Sequence, residues 1–543
     1  MTAEPSDSRP PLPGADAPAV PAPVSDLGAS PLPPPEGDDD RPPGDGAPAG
    51  AARKGPTVAT HYLRYVFGNV LVMIAGFVSF PIMTRLLDTG QYGIFGYYDA
   101  WLLLLLALFK LGGQHTILRF FPHKGGEAAL RRYGASIVLA PFAAGCVLAV
   151  LALIAYAGIV YREPPEAATI GWFMLLLLVP TMWVSYAASI AFAEERSDIS
   201  VRITVGQRWL ELFSILGVVY FLERSALGAY VARLGVALVL AFALWRWVRV
   251  RLPMHWRDID PKETRAGLRY GLPLVANEIA SSLLSFADRL MLRSMTGNFA
   301  SVGVYTIGYG LALNINNLLN YALYNAYTQV SVREFETLGA AAVVRTKRIV
   351  LGLLVYVTAA MITGIVAVGQ DILLLMAGSD KTESALVFVL IGVNYLLDGL
   401  FGICGAGLLL HKRSASVLAL TLGALTVNIV LNLILIPRFG VMGAVYATFI
   451  AYFAMWIAKY ATCPRDLRAM PPLKPSLIAC FLALINLVVA HLTGLFGIAS
   501  HFGRFVAMAL LMLPLFVLPA LMIDDVLRAT LVNYWRNRRI VGS

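Results

Sequence analysis

Five polar residues recur at helical spacing inside an otherwise apolar stretch: Glu278, Ser281, Ser282, Ser285 and Arg289. They follow i, i+3, i+4, i+7 and i+11, which puts them on one face of a helix, with Asp288 beside it. A charged carboxyl at mid-membrane costs about 2.5–3.5 kcal/mol on insertion scales, so its presence needs a reason. Glu278 reads as a proton or cation carrier, with Asp288 as a second ion-coupling candidate. The planar guanidinium of Arg289 can grip phosphate oxygens in a fork. The plainer alternative is a buried ion pair, or an arginine reaching back to the interface.

A second face carries Asn314, Asn317, Tyr321, Tyr324 and Thr328. Amides can bond sugar hydroxyls and rings can stack on sugars, but the same groups also join helices to one another. Asn394 and Asp398 stand at i and i+4, and Asp398 is a further ion-coupling candidate. Arg208 and Glu211, at i and i+3, suit a salt bridge, with Glu211 kept as an ion-coupling candidate. Asp99 and Lys110 lie too far apart on one helix to pair. Lys110 and Arg85 are therefore candidate contacts for an anionic substrate. Arg233 and Arg293 are left without an assigned role.

These residues must be positioned by membrane helices. Of 543 residues, 58% are hydrophobic and only 14% charged, where a soluble chain carries roughly a quarter. Apolar runs of about 20 residues can cross the hydrocarbon. Such runs occupy 66–87, 94–114, 133–157, 169–193, 203–222, 226–247, 270–294, 303–327, 349–368, 385–410, 416–436, 441–461, 476–492 and 503–523. The expectation is an all-α, polytopic membrane protein of about fourteen helices. Residues 1–58, rich in Pro, Ala and Asp, cannot bury enough apolar surface to fold and are expected to be disordered.

Charge tests the count. With both termini on the cytoplasmic side, the inner segments hold roughly 30 Lys and Arg against about 7 outside. The net charge of +10 therefore reports topology rather than nucleic-acid binding. No GxxxxGK[ST] loop, zinc spacing or Ser-His-Asp pattern stands out, so no cofactor, metal or catalytic residue is expected. The four cysteines suit small apolar positions.

Two stretches recur. Gly93-Ile94-Phe95-Gly96-Tyr97-Tyr98 resembles the run from Gly303 to Tyr309, offset by 210. The run from Leu227 to Ala232 resembles the run from Met442 to Ala447, offset by about 215. The unit is six helices, so both copies enter the membrane in the same direction and a pseudo-twofold axis can run along its normal. Two rocking bundles with a cavity between them suit alternating access. The expected division is 59–248 for the first bundle, 249–269 for a basic linker and 270–462 for the second bundle. Residues 463–525 would hold two further helices and 526–543 a basic tail.

Three stretches carry a family resemblance: NIVLNLILIPRFGVMGAVYATFIAY from Asn428, GLPLVANEIASSLLSFADRLML from Gly271, and GFVSFPIMTRLLDTGQYGIFGYY from Gly76. They resemble the polysaccharide transporter, or Wzx-type flippase, branch of the multidrug/oligosaccharidyl-lipid/polysaccharide exporter superfamily. The resemblance implies a flippase that turns an undecaprenyl-pyrophosphate-linked oligosaccharide across the bacterial cytoplasmic membrane. A gradient of H+ or Na+, or the membrane potential, would drive it. It further implies membrane lipids and a polysaccharide polymerase or synthase complex as associates. A lipid II flippase and a drug/cation antiporter are sibling alternatives. A membrane-embedded polymerase is disfavoured, since such enzymes usually carry a large outer loop.

Overall fold

The computed structural model describes residues 58–123, 126–317, 322–411, 413–525 and 527–529. Tyr321 and most of the two expected tails, 1–58 and 526–543, lie outside the described residues. Below, the face at which α1 begins is the proximal face and the opposite one is distal.

The first half comprises α1 (Val58–Leu86), α2 (Thr89–Phe109), a short α3 (Gly113–Arg119), α4 (Glu127–Tyr133), α5 (Ala140–Ile159), α6 (Pro165–Ala193), α7 (Ser197–Phe221) and α8 (Ala226–Arg251). A π-helical turn at Gly134–Leu139 joins α4 to α5 just ahead of Pro141. The second half comprises α9 (Pro261–Thr296), α10 (Phe299–Asn316), α11 (Ala322–Leu338), α12 (Ala340–Ala377), α13 (Ala385–Gly405), α14 (Ser414–Phe439) and α15 (Val441–Thr462). The chain ends with α16 (Leu473–Leu492), α17 (His501–Met512) and α18 (Leu518–Ile523), the last two joined by another π-helical turn.

Side-chain caps set several boundaries: Asp88 accepts from the N–H of Gln91, Ser225 from Gly228, Asp260 from Lys262 and Asn298 from Ala300. Each satisfies one of the donors that a helix start leaves free, which a membrane makes costly to neglect. Prolines stand inside α1, α6, α9 and α14 at positions 81, 180, 273 and 437. Neighbouring helices can absorb such breaks.

Among the described residues, eleven helical stretches are long and apolar enough to cross a membrane. Of the fourteen runs expected from sequence, the three others fall on α7, α9 and α10–α11. They pack among the eleven but carry more charge and amide. The run expected at 303–327 is divided between α10 and α11. The expected linker, 249–269, is mostly helical, since α8 continues to Arg251 and α9 starts at Pro261.

The halves repeat each other's packing. α1 lies on α7 as α9 lies on α14, α2 on α6 as α10 on α13, and α6 on α8 as α13 on α15. They meet chiefly through α2 and α10. A Cβ on Gly93 would stand 1.8 Å from the carbonyl oxygen of Phe299, and a Cβ on Gly303 would stand 1.8 Å from that of Thr89. Gly303 and Phe299 are the partners of Gly93 and Thr89 at an offset of 210, so the contact is isologous, as a two-fold axis requires. Lipid supplies no hydrophobic force between helices, and small residues let backbones gain contact instead.

The terminal helices α16–α18 pack on α12. At the distal end Asp371 of α12 receives Arg504 at 2.8 Å and His501 at 2.6 Å. Towards the proximal end the Tyr356 hydroxyl donates to Asp524 at 2.8 Å. Lys347 of α12, with 0% exposure, donates to the carbonyls of Cys404, Ala406 and Leu467 at 3.2, 2.7 and 2.8 Å.

Candidate functional site

Two consecutive residues end α2 in the left-handed region, Leu111 (φ 49°) and Gly112 (φ 73°). Gly112 also touches Gly271 of α9: a Cβ there would stand 2.6 Å from that carbonyl oxygen. The break turns the chain into α3 against α9, and three side chains of the first half then converge on Glu278 of the second. Lys110 reaches one carboxylate oxygen at 3.0 Å. Gln114 donates to the other at 2.6 Å, and His115 stands 3.8 Å from it. Glu278 and Lys110 are 12% and 16% exposed. The carboxylate read from sequence as a proton or cation carrier, with a buried ion pair as the alternative, is paired across the seam. Lys110, without a partner on its own helix, finds one here.

About 15 Å further along α9, at 1.5 Å per residue, Asp288 is fully buried. Its carboxylate accepts from Tyr305 of α10 at 2.5 Å, Asn432 of α14 at 2.6 Å and Thr448 of α15 at 2.6 Å. Asn432 also donates to the Asn428 carbonyl oxygen at 3.1 Å. The Asn432 carbonyl oxygen is buried without a partner. Four helices thus bring one carboxylate, two amide oxygens and two hydroxyls together. All-oxygen donors suit a hard cation, and a lone carboxylate suits a monovalent ion or a proton.

Arg289, the next residue, makes no hydrogen bond to that node among the described residues. It is 5% exposed and lies over the rings of Phe286 and Tyr309, 5.0 Å from each centroid. Tyr92 of α2 lies within electrostatic range. Its Nε has no hydrogen-bond partner, and no carboxylate pairs with it among the described residues. Cation–π contacts are worth about 2 kcal/mol when desolvated, much less than the cost of burying a charge. The charge is stored here without an anion.

The remaining candidates are dispersed. Arg85 donates to the Leu375 carbonyl across the seam at the distal face. Asn314 faces α1, its carbonyl oxygen 3.6 Å from where a Cβ on Gly76 would lie. Asn317 caps α10. Tyr324 lies on α11, among residues packed on α12 and α13. Asp398 accepts from the Trp456 indole at 2.8 Å. Glu211 accepts from Gln207 at 2.9 Å and lies 3.6 Å from Arg208. Asp99 pairs with Arg233 at 2.7 Å, and Arg293 with Glu163 at 3.1 Å across the distal seam. A groove of about 760 Å³, lined by Pro81, Arg85, Phe213 and Tyr220, opens on the lipid side of α1 and α7 rather than on the seam.

Sequence reasoning did not find Gln114, His115, Tyr305, Asn428, Asn432 or Thr448. Asn428 and Asn432 did carry a signal, since two amides at i and i+4 inside an apolar run share a face. Gln114 and His115 carried none, because the left-handed break that aims them is not written in their spacing.

A sequence model of the family described as polysaccharide biosynthesis protein matches residues 61–328. No curated protein sequence matches significantly. Among solved structures, the lipid II flippase MurJ in an inward closed conformation superposes with a TM-score of 0.66 at 14% identity, covering 85% of this chain and 98% of that one. An inward-facing multidrug resistance MATE family transporter of the MOP superfamily gives 0.54 at 13% identity, covering 80% and 99%. A MOP superfamily transporter from Pyrococcus furiosus gives 0.50 at 14% identity, covering 79% and 96%. The family pattern thus covers the first half and the start of the second, and the whole described chain shares the fold of these transporters.

Proposed function

We propose that this chain flips a lipid-linked oligosaccharide, carried on undecaprenyl pyrophosphate, from the cytoplasmic to the outer leaflet of a bacterial cytoplasmic membrane. The proximal face is then cytoplasmic, and the halves rock about the α2–α10 contact. The observation that carries the reading is Arg289, a guanidinium held near the seam with aromatic walls and, among the described residues, no acidic partner. An uncompensated buried cation is costly. A pyrophosphate would neutralise it in bidentate fashion, whereas a cationic drug would add to the cost. This supports an anionic lipid headgroup over a drug/cation antiport, while lipid II remains a sibling substrate with the same pyrophosphate.

The Asp288 node is the proposed seat of the coupling Na+ or H+, with the unpaired Asn432 oxygen as one of its ligands. Lys110 and Glu278, proposed from sequence as substrate contact and ion carrier, act together as a cytoplasmic latch between the halves. Arg293 with Glu163 does the same on the outer side with the charges exchanged.

The test is polymer export in cells that depend on the gene, with variants at matched membrane levels. Arg289→Ala should abolish export, and Arg289→Lys should retain only part of it, because an ammonium cannot form the fork. Wild-type export by Arg289→Ala would refute the reading. In vesicles, flipping of a fluorescent pyrophosphate-linked glycolipid should depend on Arg289, whereas efflux of a cationic dye should not occur.

A further inference from the structure

We infer that the second half contains a polar passage for the coupling cation, leading from the Asp288 node to the proximal end of α11 through Asn394 and Asp398. The inference rests on the node's proposed role as the cation seat. Its firmest element is Asn394 of α13, 1% exposed and with both amide atoms unpaired. Each unsatisfied polar group in a membrane interior costs several kcal/mol. An amide that fails on donor and acceptor alike, among helices that could have supplied a carbonyl, marks a space occupied by water or a hydrated cation.

Polar groups continue from it in both directions at helical spacing. Thr448, Tyr452 and Trp456 stand at i, i+4 and i+8 on α15. Thr448 belongs to the node, and Trp456 donates to Asp398 at 2.8 Å. Tyr452, between them, lies within electrostatic range of both Asp288 and Asp398. Asp398 is one turn from Asn394 and within range of Tyr324 on α11. From there α11 presents Tyr327, Ser331 and Glu334 on one face; Tyr327 and Ser331 lie within reach of each other, and one carboxylate oxygen of Glu334 is buried without a partner. Glu334 stands in the last turn before Gly339, at the proximal end.

Helix–helix adhesion would pair these groups with one another, as Tyr395 pairs with Tyr309 at 2.6 Å. Along the passage unpaired atoms remain instead at Asn394 and at Glu334. Among the described residues, the first half offers no equivalent route. At the offset of 215 the counterpart of Thr448 is Arg233, whose own guanidinium fills the position and bonds Asp99 at 2.7 Å. The tethered cation makes that node a fixed ion pair, so ion traffic belongs to the second half alone.

The experiment uses full-length protein, wild type and three variants: Asp288→Asn, Asn394→Leu and Asn394→Ser. Equilibrium 22Na+ binding is measured in detergent, and 22Na+ exchange in proteoliposomes. A pH-indicator dye inside parallel vesicles reads proton movement. Asn394→Leu should retain Na+ binding but slow exchange about tenfold or more, as an apolar plug adds a barrier. Asn394→Ser should exchange nearly as wild type, and Asp288→Asn should lose both binding and exchange. If the Asp288-dependent ion is a proton, the dye should give the same ranking. Wild-type exchange by Asn394→Leu, with Asp288→Asn inactive, would overturn the passage and leave the node. Loss of binding by Asn394→Leu would also overturn it, by placing Asn394 in the node itself. Wild-type ion handling by Asp288→Asn would remove the node and the passage together.

Discussion

Gly96 faces Thr306, the residue 210 positions further on: a Cβ at Gly96 would stand 2.6 Å from the Thr306 methyl carbon. A residue that touches its own repeat counterpart lies at the pseudo-twofold axis. The axis of the molecule thus passes between α2 and α10 at these two side chains.

Substitution at the neighbouring glycines should be costly in a reciprocal way. Gly93→Ala and Gly303→Ala each drive a methyl into a backbone oxygen, and overpacking of this kind costs about 1–3 kcal/mol or more. Both should lower the denaturation temperature in detergent by similar amounts. Gly402→Ala, where nothing lies within 4 Å, should not. A large drop for only one of the pair would contradict the two-fold contact.

The Lys110–Glu278 pair should show strong coupling. Removing one partner of a buried pair costs about 3–5 kcal/mol, and less where solvent enters. Lys110→Met and Glu278→Gln should each destabilise, whereas the double variant should be less destabilised than the sum. Thermal midpoints of the four proteins close the cycle, and strict additivity would mean that the contact carries no energy.

Lys347 should matter more than any exposed lysine. Its ammonium satisfies three carbonyls at the junction of α12, α13 and the segment leading to α16. Lys347→Met leaves those carbonyls unpaired, at about 1–3 kcal/mol for each buried group that stays unsatisfied. The variant should show reduced membrane accumulation and faster proteolysis near Leu467. Wild-type levels and cleavage would argue against this role.

Orientation can be read with reporters. A fusion after Leu222 should report the outer side and one after Leu410 the cytoplasmic side, following the Lys and Arg alternation. The same side for both would break the helix count.

The membrane class, the helix order and the six-helix repeat were legible in the chain, because hydrocarbon thickness imposes run length and charge imposes sidedness wherever the chain folds. Glu278, Asp288 and Arg289 stood out for a related reason, since a charge in an apolar run cannot be accidental. Their partners were not legible. Three adjacent-looking polar residues on α9 serve different neighbours: Glu278 meets Lys110 and Gln114 of the other half, Asp288 meets α10, α14 and α15, and Arg289 lies over the rings of Phe286 and Tyr309. Spacing along one helix fixes the face a side chain occupies. Which helix lies opposite that face depends on contacts more than a hundred residues away, such as the close approach of Gly112 to Gly271 that brings Lys110 to Glu278.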